Sequence, residues 1–259
     1  MAQVKSKRIS NDSKPNRRLM TLITSGCSFS ETITTAQTWP TVLEKYLAPK
    51  NVNHLGLGSQ GNGMISRKAI HAIHNALKTT SSKNLLVGIM WSSPSRHEQY
   101  VSGKVKFGRN IDNWMINPTS VVDNDQGGWV IYNSSWDIPQ AKNYYRNMYD
   151  PIFSQIQTLE HVIRVQNYLK LHNIKYFMST YTNEVFAIKN NPNLDYLYEQ
   201  INFDYFLPVE GCYEWARDVS RLPFNNPGDL HPTKHQHRLF TQQVILPFLK
   251  DKYNIDTIN

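Results

Sequence analysis

A turn of small residues near the start of the chain contains the strongest candidate for a nucleophile. Ser28 lies in the segment Ser-Gly-Cys-Ser-Phe-Ser at positions 25–30, directly after a largely apolar run at positions 19–24. A short apolar run that stops at a glycine predicts a buried strand ending in a tight turn. Ligands of open parallel sheets bind at the carboxyl ends of the strands, so Ser28 is predicted at the rim of a sheet. Cys27 is an alternative nucleophile, but adjacent side chains on such a segment diverge, so only one can face a base.

The candidate base for this serine lies near the other end of the chain. His231 belongs to the segment Gly-Asp-Leu-His-Pro at positions 228–232, a loop before the last predicted helix. A serine hydroxyl is a poor nucleophile until a neighbouring base takes its proton, and histidine is the usual base near neutral pH. Asp229 could orient the imidazole and stabilise its cationic form. The alternative is that Asp229 and His231 form only a turn and a helix cap.

Strands and helices alternate along the chain, which predicts an α/β protein with a parallel sheet covered on both faces. The clearest buried strand is the apolar run at 85–91, and the strongest helix covers 151–171. The strands are predicted at 19–24, 51–55, 85–91, 174–180 and about 203–206. The helices are predicted at 39–47, 64–77, 151–171, 211–219 and from 233 onward, with Pro247 ending or kinking the last one.

The composition changes between about residues 94 and 150. Gly, Asn, Asp and aromatic residues alternate there with short β-prone pieces, which predicts an insertion with a β-hairpin over the carboxyl edge of the sheet. Its aromatic residues suit either a wall for a sugar or acyl group, or a second hydrophobic cluster. These residues are Trp114, Trp129, Trp136, Tyr144 and Tyr145, with Trp91 at the edge. Arg96 and Arg146 are candidates for contact with an anion.

The ordered motifs resemble those of the SGNH (GDSL-like) hydrolases over about residues 19–250. The matching blocks are residues 26–30, residues 61–62, the polar turn after the third strand, and residues 229–232. The resemblance implies a three-layer α/β/α sandwich with a flavodoxin-like parallel sheet. It also implies a serine esterase or deacylase that hydrolyses a small acyl ester, such as an acylated carbohydrate, through an acyl-serine intermediate.

The resemblance also implies roles for individual residues. Ser28 is the implied nucleophile and His231 the implied base, with Asp229 orienting it. The implied oxyanion hole takes the backbone N–H groups of Ser28 and Gly61 and the side chain of Ser92. Three neighbours of these residues are expected to contact the substrate: Asn62, Trp91 and Arg96.

Three positions depart from the family pattern. Cys27 precedes the serine where an Asp is usual, and Ser92 stands where an Asn amide is normally supplied. Losing one oxyanion donor typically costs about 2.7–4 kcal/mol in the barrier. The Asp and His are separated by two positions in place of three, which resembles the acyltransferase branch. An O-acyltransferase and a catalytically inactive SGNH-like binding or structural protein are therefore the alternatives.

Two further patterns are typical of cofactor or metal sites. Residues 56–61 match the dinucleotide fingerprint Gly-x-Gly-x-x-Gly, but they follow the second strand, and no acidic residue ends the next strand to bind a ribose. His235 and His237 could join His231 and Asp229 as metal ligands. They lie two positions apart on a helix, however, and so point in different directions. The sequence predicts neither a cofactor nor a metal.

Charge is concentrated at the start of this 259-residue chain. The formal net charge is +8, and residues 1–18 contain six basic residues against one acidic residue. This predicts a flexible basic arm at 1–18 before a hydrolase domain at 19–259. The arm could contact an anionic surface, whereas nucleic acid is not an expected partner. No apolar run suits a membrane helix and no signal peptide is recognised, so the cytoplasm is compatible but the localisation stays open.

Overall fold

The computed structural model of the protein describes most of the predicted hydrolase domain. The described residues are 20–32, 37–102, 116–117, 127–135, 137, 139–189, 191–226 and 228–257. The predicted basic arm lies outside them, as do Trp114 and Trp136. Within these ranges, no helix is long and apolar enough to cross a membrane.

A four-stranded parallel sheet forms the centre of the fold. Its strands are β1 (Thr21–Ser25), β2 (Asn51–His54), β3 (Leu85–Trp91) and, after three strands of the insertion, β7 (Lys175–Thr180). The spatial order is β2-β1-β3-β7. β1 and β3 are buried along their whole length, as their apolar runs predict.

Helices cover both faces of this sheet. They are α1 (Trp39–Leu47), α2 (Asn62–Leu77), α4 (Pro151–Leu171), α5 (Pro192–Tyr198), α6 (Cys212–Glu214), α7 (Lys234–Phe240) and α8 (Leu246–Tyr253), with α3 (Pro139–Asn147) in the insertion. The helix α4 packs against α2, and α7 packs against α1. The predicted α/β sandwich around a parallel sheet is thereby confirmed.

The side chains at the end of β1 show which helix covers which face. The Ser25 hydroxyl donates to the Ile65 carbonyl of α2 at 3.3 Å. The Thr24 hydroxyl instead bonds the His54 ring at 2.7 Å, and that ring contacts Glu44 of α1 at 3.0 Å. Successive side chains of a strand point to opposite faces, so α2 and α1 lie on opposite sides of the sheet.

The insertion forms a small antiparallel sheet of its own. Its strands are β4 (His97–Ser102), β5 (Ile116–Asn117) and β6 (Gly127–Tyr132), in the order β4-β6-β5. Tyr132 and Ala141 form a hydrophobic cluster with Val130, against which Tyr144 and Tyr145 pack. These two tyrosines therefore fit the alternative of a second hydrophobic cluster.

The prediction of a strand at residues 203–206 is wrong. Phe203–Tyr205 form a 3-10 helix, and Phe206 makes only one isolated parallel bridge, to Met178. The Asn202 side chain accepts a hydrogen bond from the Asp204 N–H at 3.0 Å. An Asn that bonds the backbone two residues ahead starts a turn, which competes here with the strand.

Pro247 does not end the last helix. The helical path from α7 continues through a π-helical segment at Thr241–Ile245 into α8. Pro247 then lies in the first turn of α8. Proline cannot donate a backbone hydrogen bond, and it follows the wider π-helical turn in which the Leu246 N–H bonds the Thr241 carbonyl.

We expect Gly88→Ala to lower the free energy of unfolding by about 1–3 kcal/mol, because it overpacks the core. A Cβ at Gly88 would lie 2.5 Å from Phe177 Cζ and 3.1 Å from Trp39 Cη2. Urea unfolding measures the change. Gly58→Ala is the control, because its Cβ would lie 3.4 Å from the flexible Glu31 side chain. Equal stability of the Gly88 variant and the wild type would contradict this description of the core.

Candidate active site

The turn after β1 depends on Gly26. A Cβ at this position would overlap the Ser30 hydroxyl and lie 3.0 Å from the Met90 carbonyl oxygen of β3. The Ser30 N–H donates to the Cys27 carbonyl at 2.8 Å, which closes the 3-10 turn of Ser28–Ser30. Because only glycine leaves room for this turn, the chain can reverse direction directly at the rim of the sheet.

Two neighbouring elements hold the turn in place. The Trp39 indole N–H of α1 donates to Ser30 Oγ at 2.9 Å. The Gly26 carbonyl accepts from the Gln60 side chain at 3.0 Å and from the Leu57 N–H at 3.2 Å. Gln60 and Trp39 are both fully buried, so the backbone on either side of Ser28 is fixed by rigid surroundings.

The structure brings the predicted nucleophile and base together. Ser28 Oγ lies 2.8 Å from His231 Nε2, although 203 positions separate them in the chain. On the other side of the ring, His231 Nδ1 lies 2.7 Å from Asp229 Oδ1. These distances are those of hydrogen bonds, and the order serine–histidine–carboxylate is that of a catalytic triad.

Asp229 fixes the imidazole in the form that a base requires. Its Oδ1 also accepts the backbone N–H of His231 at 2.9 Å. This backbone bond, followed by the contact with the ring, lowers the pKa of Asp229 against the effect of partial burial. An ionised carboxylate accepts the Nδ1 proton, so Nε2 is left to accept the hydroxyl proton of Ser28.

The loop that presents His231 is anchored by a capping box at the start of α7. The Thr233 hydroxyl accepts the Gln236 N–H, and the Gln236 side chain accepts the Thr233 N–H at 2.8 Å. The amide group of Gln236 also donates to the Leu222 carbonyl at 3.0 Å. The capping box and the buried Gln236 therefore position His231 from the C-terminal part of the chain.

The buried ring of Phe29 packs against the His231 ring, a contact that no pattern in the sequence predicts. Its ring centroid lies 5.1 Å from that of His231 and 5.4 Å from that of Tyr181, and Phe29 is 2% exposed. His237 packs edge-on against the same ring at 6.4 Å. Burial, and then the nearby charge of His231, lower the pKa of His237 to about 3. His237 is therefore a neutral core residue near neutral pH.

The other candidate ligands and nucleophiles are not assembled into sites. Cys27 is fully buried, whereas Ser28 is partly exposed and bonded to the base. His235 is exposed and contacts Arg238 at 2.7 Å. In the part of the chain that the structure describes, no three His, Cys, Asp or Glu side chains are grouped to hold a metal ion.

The glycines of the dinucleotide-like segment serve close packing. A Cβ at Gly56 would overlap the Ser30 carbonyl, and one at Gly61 would lie 3.0 Å from the Arg96 carbonyl oxygen. The chain at these two positions is thus covered by protein backbone. This arrangement agrees with the interpretation that the glycines allow tight turns and contacts.

Two of the expected substrate contacts are corrected by the structure. Trp91 is fully buried, and its indole N–H donates to Met178 Sδ at 3.4 Å. Asn62 is 4% exposed, and its amide bonds both the carbonyl and the N–H of Ser92, at 2.9 and 2.7 Å. Their side chains are used inside the protein: Trp91 belongs to the core, and Asn62 holds the turn after β3.

The predicted oxyanion donors differ in their surroundings. The Ser28 N–H makes no hydrogen bond to another described residue, as is usual for the first residue of a helical turn. Ser92 Oγ is buried and has no hydrogen-bond partner among the described residues. Gly61 is buried, and a Cβ there would lie 2.8 Å from Glu98 Oε1.

Glu98 of β4 occupies the N-terminus of α2, which the sequence reasoning missed. Its Oε1 accepts the Met64 N–H at 2.9 Å, and its Oε2 contacts Arg67 at 2.6 Å. Burial raises the pKa of Glu98, while Arg67 and the N–H groups of Met64 and Gly61 oppose the rise. No local sequence signal predicts this contact, because it depends on how the insertion lies across α2.

No protein-family model matches the chain, and a search of curated proteins finds no match. Two solved structures are similar in arrangement, and both are assigned to the lipolytic G-D-S-L family. One, from Desulfitobacterium hafniense DCB-2, is 13% identical, covers 86% of this chain and 96% of its own, and has a TM-score of 0.43. The other, from Veillonella parvula DSM 2008, is 10% identical, covers 91% of this chain and 98% of its own, and has a TM-score of 0.43.

We expect Glu98→Ala to lower the free energy of unfolding by about 3 kcal/mol, because it leaves Arg67 and the Met64 N–H without their acceptor. The Glu98 side chain is 5% exposed and that of Arg67 22%. Urea unfolding provides the measurement. The exposed pair of Asp137 and Lys142 is the control, and Asp137→Ala should cost less than about 1 kcal/mol. An equal loss in the two variants would show that the buried contact is unimportant.

Proposed function

We propose that the chain is a serine hydrolase of the SGNH type that cleaves a small acyl ester. The observation that carries this proposal is the continuous hydrogen-bonded path from Ser28 through His231 to Asp229. The His231 side chain is 53% exposed and that of Asp229 30%, so a substrate can approach the path from solvent. The G-D-S-L names of the two similar structures agree with this class of reaction.

Acylation begins at the hydroxyl of Ser28. As its oxygen attacks the ester carbonyl carbon, the hydroxyl proton passes to His231 Nε2, and Asp229 stabilises the imidazolium. The tetrahedral intermediate then collapses, the bond to the alcohol oxygen breaks, and His231 returns the proton to the departing alcohol. A water molecule attacks the acyl-serine in the same way, releases the carboxylic acid and regenerates Ser28.

The negative charge of the tetrahedral intermediate requires hydrogen-bond donors. The Ser28 N–H is the donor on which this proposal depends, because it has no other described partner. Gly61 and Ser92 remain the expected second and third donors. Gly61 would need Glu98 to shift, and the Ser92 hydroxyl would need the turn after β3 to open.

The molecule that takes the acyl group from Ser28 decides between hydrolysis and acyl transfer. Water gives hydrolysis, whereas the hydroxyl of a sugar gives O-acyl transfer by the same acyl-serine. The open position of His231 suits either acceptor, and the two-position spacing of Asp229 and His231 keeps acyl transfer as a variant. We propose hydrolysis, with an acylated carbohydrate as one fitting substrate.

A second candidate function is binding without turnover by an SGNH-like protein. The observation in its favour is the state of two oxyanion donors: Glu98 faces the Gly61 N–H, and Ser92 Oγ is buried. In such a protein the serine and the histidine would keep their geometry but would not accelerate ester cleavage. Turnover measurements separate the two candidates.

We expect the wild type to react with a fluorophosphonate probe and to hydrolyse a short-chain aryl ester. Ser28→Ala should abolish labelling and lower kcat/KM by about 10³-fold or more, because it removes the attacking oxygen. Asp229→Asn should lower kcat by about 10²–10⁴-fold, because the amide does not hold the required tautomer. Gel fluorescence and initial rates give the two readouts.

Cys27→Ala is the matched control for the adjacent position, and it should keep both labelling and turnover. Urea unfolding of each variant ensures that a loss of activity is not a loss of folding. Labelling or turnover that does not depend on Ser28 would contradict the proposed hydrolase. Probe labelling with no ester turnover would favour the binding protein.

A further inference from the structure

Arg96 contacts the residue that anchors the turn of Ser28. Its Nη1 donates to the Gln60 carbonyl at 3.2 Å, and the Gln60 side chain in turn donates to the Gly26 carbonyl at 3.0 Å. Gly26 is two positions before Ser28. The guanidinium of Arg96 is therefore connected to the nucleophile turn through a single buried residue.

A second set of contacts reaches the same place from the other side. The guanidinium carbon of Arg96 lies 5.4 Å from the centroid of the Tyr181 ring. That ring packs edge-on against Phe29 at 5.4 Å, and Phe29 lies beneath His231. Contacts through Gln60 and through Tyr181 thus connect Arg96 both to the turn of Ser28 and to the aromatic ring that packs against His231.

The charge of Arg96 is not neutralised by the described part of the chain. None of the ion pairs between described residues includes Arg96. Glu98 pairs instead with Arg67, and Glu184, which accepts the Tyr181 hydroxyl at 2.9 Å, forms no ion pair with Arg96. A guanidinium offers five N–H donors, and only one described hydrogen bond uses them here.

The surroundings hold this cation in a defined direction. The Tyr145 hydroxyl bonds the Ser95 carbonyl at 2.5 Å and thereby fixes the backbone next to Arg96. The bond to Gln60 and the Tyr181 ring then limit where the guanidinium can move. A half-buried, oriented guanidinium with unused donors is suited to bind a carboxylate through two parallel hydrogen bonds.

We propose that Arg96 binds a carboxylate group of the substrate, so that the preferred esters are anionic. This inference rests on the proposed function, because the carboxylate is placed relative to an ester that Ser28 attacks. Arg96 is then a specificity-determining residue. The competing role is direct stabilisation of the oxyanion by Arg96, which would affect charged and neutral esters alike.

Matched pairs of aryl esters separate these roles. The first pair is 4-acetoxybenzoate and its neutral methyl ester. Its charged member carries the carboxylate on the leaving group. The second pair is the monophenyl ester of adipic acid and its neutral methyl ester. Its charged member carries the carboxylate on the acyl group. We expect Arg96→Gln to lower kcat/KM about 10–100-fold for the charged member of at least one pair, and to change the neutral member less than about threefold.

Arg96→Lys should restore part of the preference, because it keeps the charge but not the planar fork. Arg217→Gln is the control, since Arg217 is an exposed arginine that pairs with Asp218 and has no predicted contact with the substrate. Equal losses for charged and neutral esters, or no preference for charge in the wild type, would overturn the inference. Urea unfolding identifies a variant that fails to fold. If Arg96→Gln does not fold, the ratio of kcat/KM for the charged and the neutral ester in Arg96→Lys decides.

A binding experiment keeps this inference separable from the proposed hydrolase activity. Calorimetry should show that the Ser28→Ala variant binds 4-hydroxybenzoate or adipate. The double variant Ser28→Ala, Arg96→Gln should bind the same ligand about 10-fold more weakly. Such binding without Ser28-dependent turnover would support the carboxylate site and contradict the hydrolase. Turnover that depends on Ser28 but ignores the substrate's charge would support the hydrolase and contradict the carboxylate site.

Discussion

The two hydrogen bonds of the His231 ring are the interactions on which the site depends. They join a serine at the end of the first strand to a carboxylate in the loop before α7, and the distances are 2.8 and 2.7 Å. Neither partner can be moved much without losing one of these bonds. The parallel sheet fixes Ser28, the capping box at Thr233 and Gln236 fixes the loop of His231, and the buried ring of Phe29 packs against the imidazole.

The insertion places an acidic and a basic side chain next to Gln60 and Gly61. Glu98 lies on the N-terminus of α2, where the partial positive charge of the helix and Arg67 stabilise a carboxylate. Arg96, two positions earlier, extends instead over Gln60 and Tyr181. The same short segment therefore covers the Gly61 N–H with an acidic group and holds a basic group on the Gln60 carbonyl. Glu98 thus bears on whether the Gly61 N–H can stabilise an oxyanion, and Arg96 bears on which substrate charge is preferred.

The sequence predicts those features that depend on local patterns. Apolar runs identify β1 and β3, and the small residues around Gly26 identify the turn that presents Ser28. The predictions fail where a long-range contact decides. Trp91 is aromatic and ends a strand, but whether it faces solvent depends on the packing of Met178 against it. Glu98 carries no signal in its neighbours, because its partners on α2 are brought to it only by the insertion. The prediction at residues 203–206 fails for a local reason instead, because the turn that starts at Asn202 outweighs the β propensity of the aromatic residues.

The central claim is that Ser28 carries the acyl group during turnover. Rapid mixing with a short-chain aryl ester, acid quenching within the first turnover and peptide mass mapping test it directly. The acyl mass should appear on the peptide that contains residues 25–30, and fragmentation should assign it to Ser28. An acyl mass on Cys27, or ester cleavage that is unchanged in Ser28→Ala, would contradict the proposed mechanism.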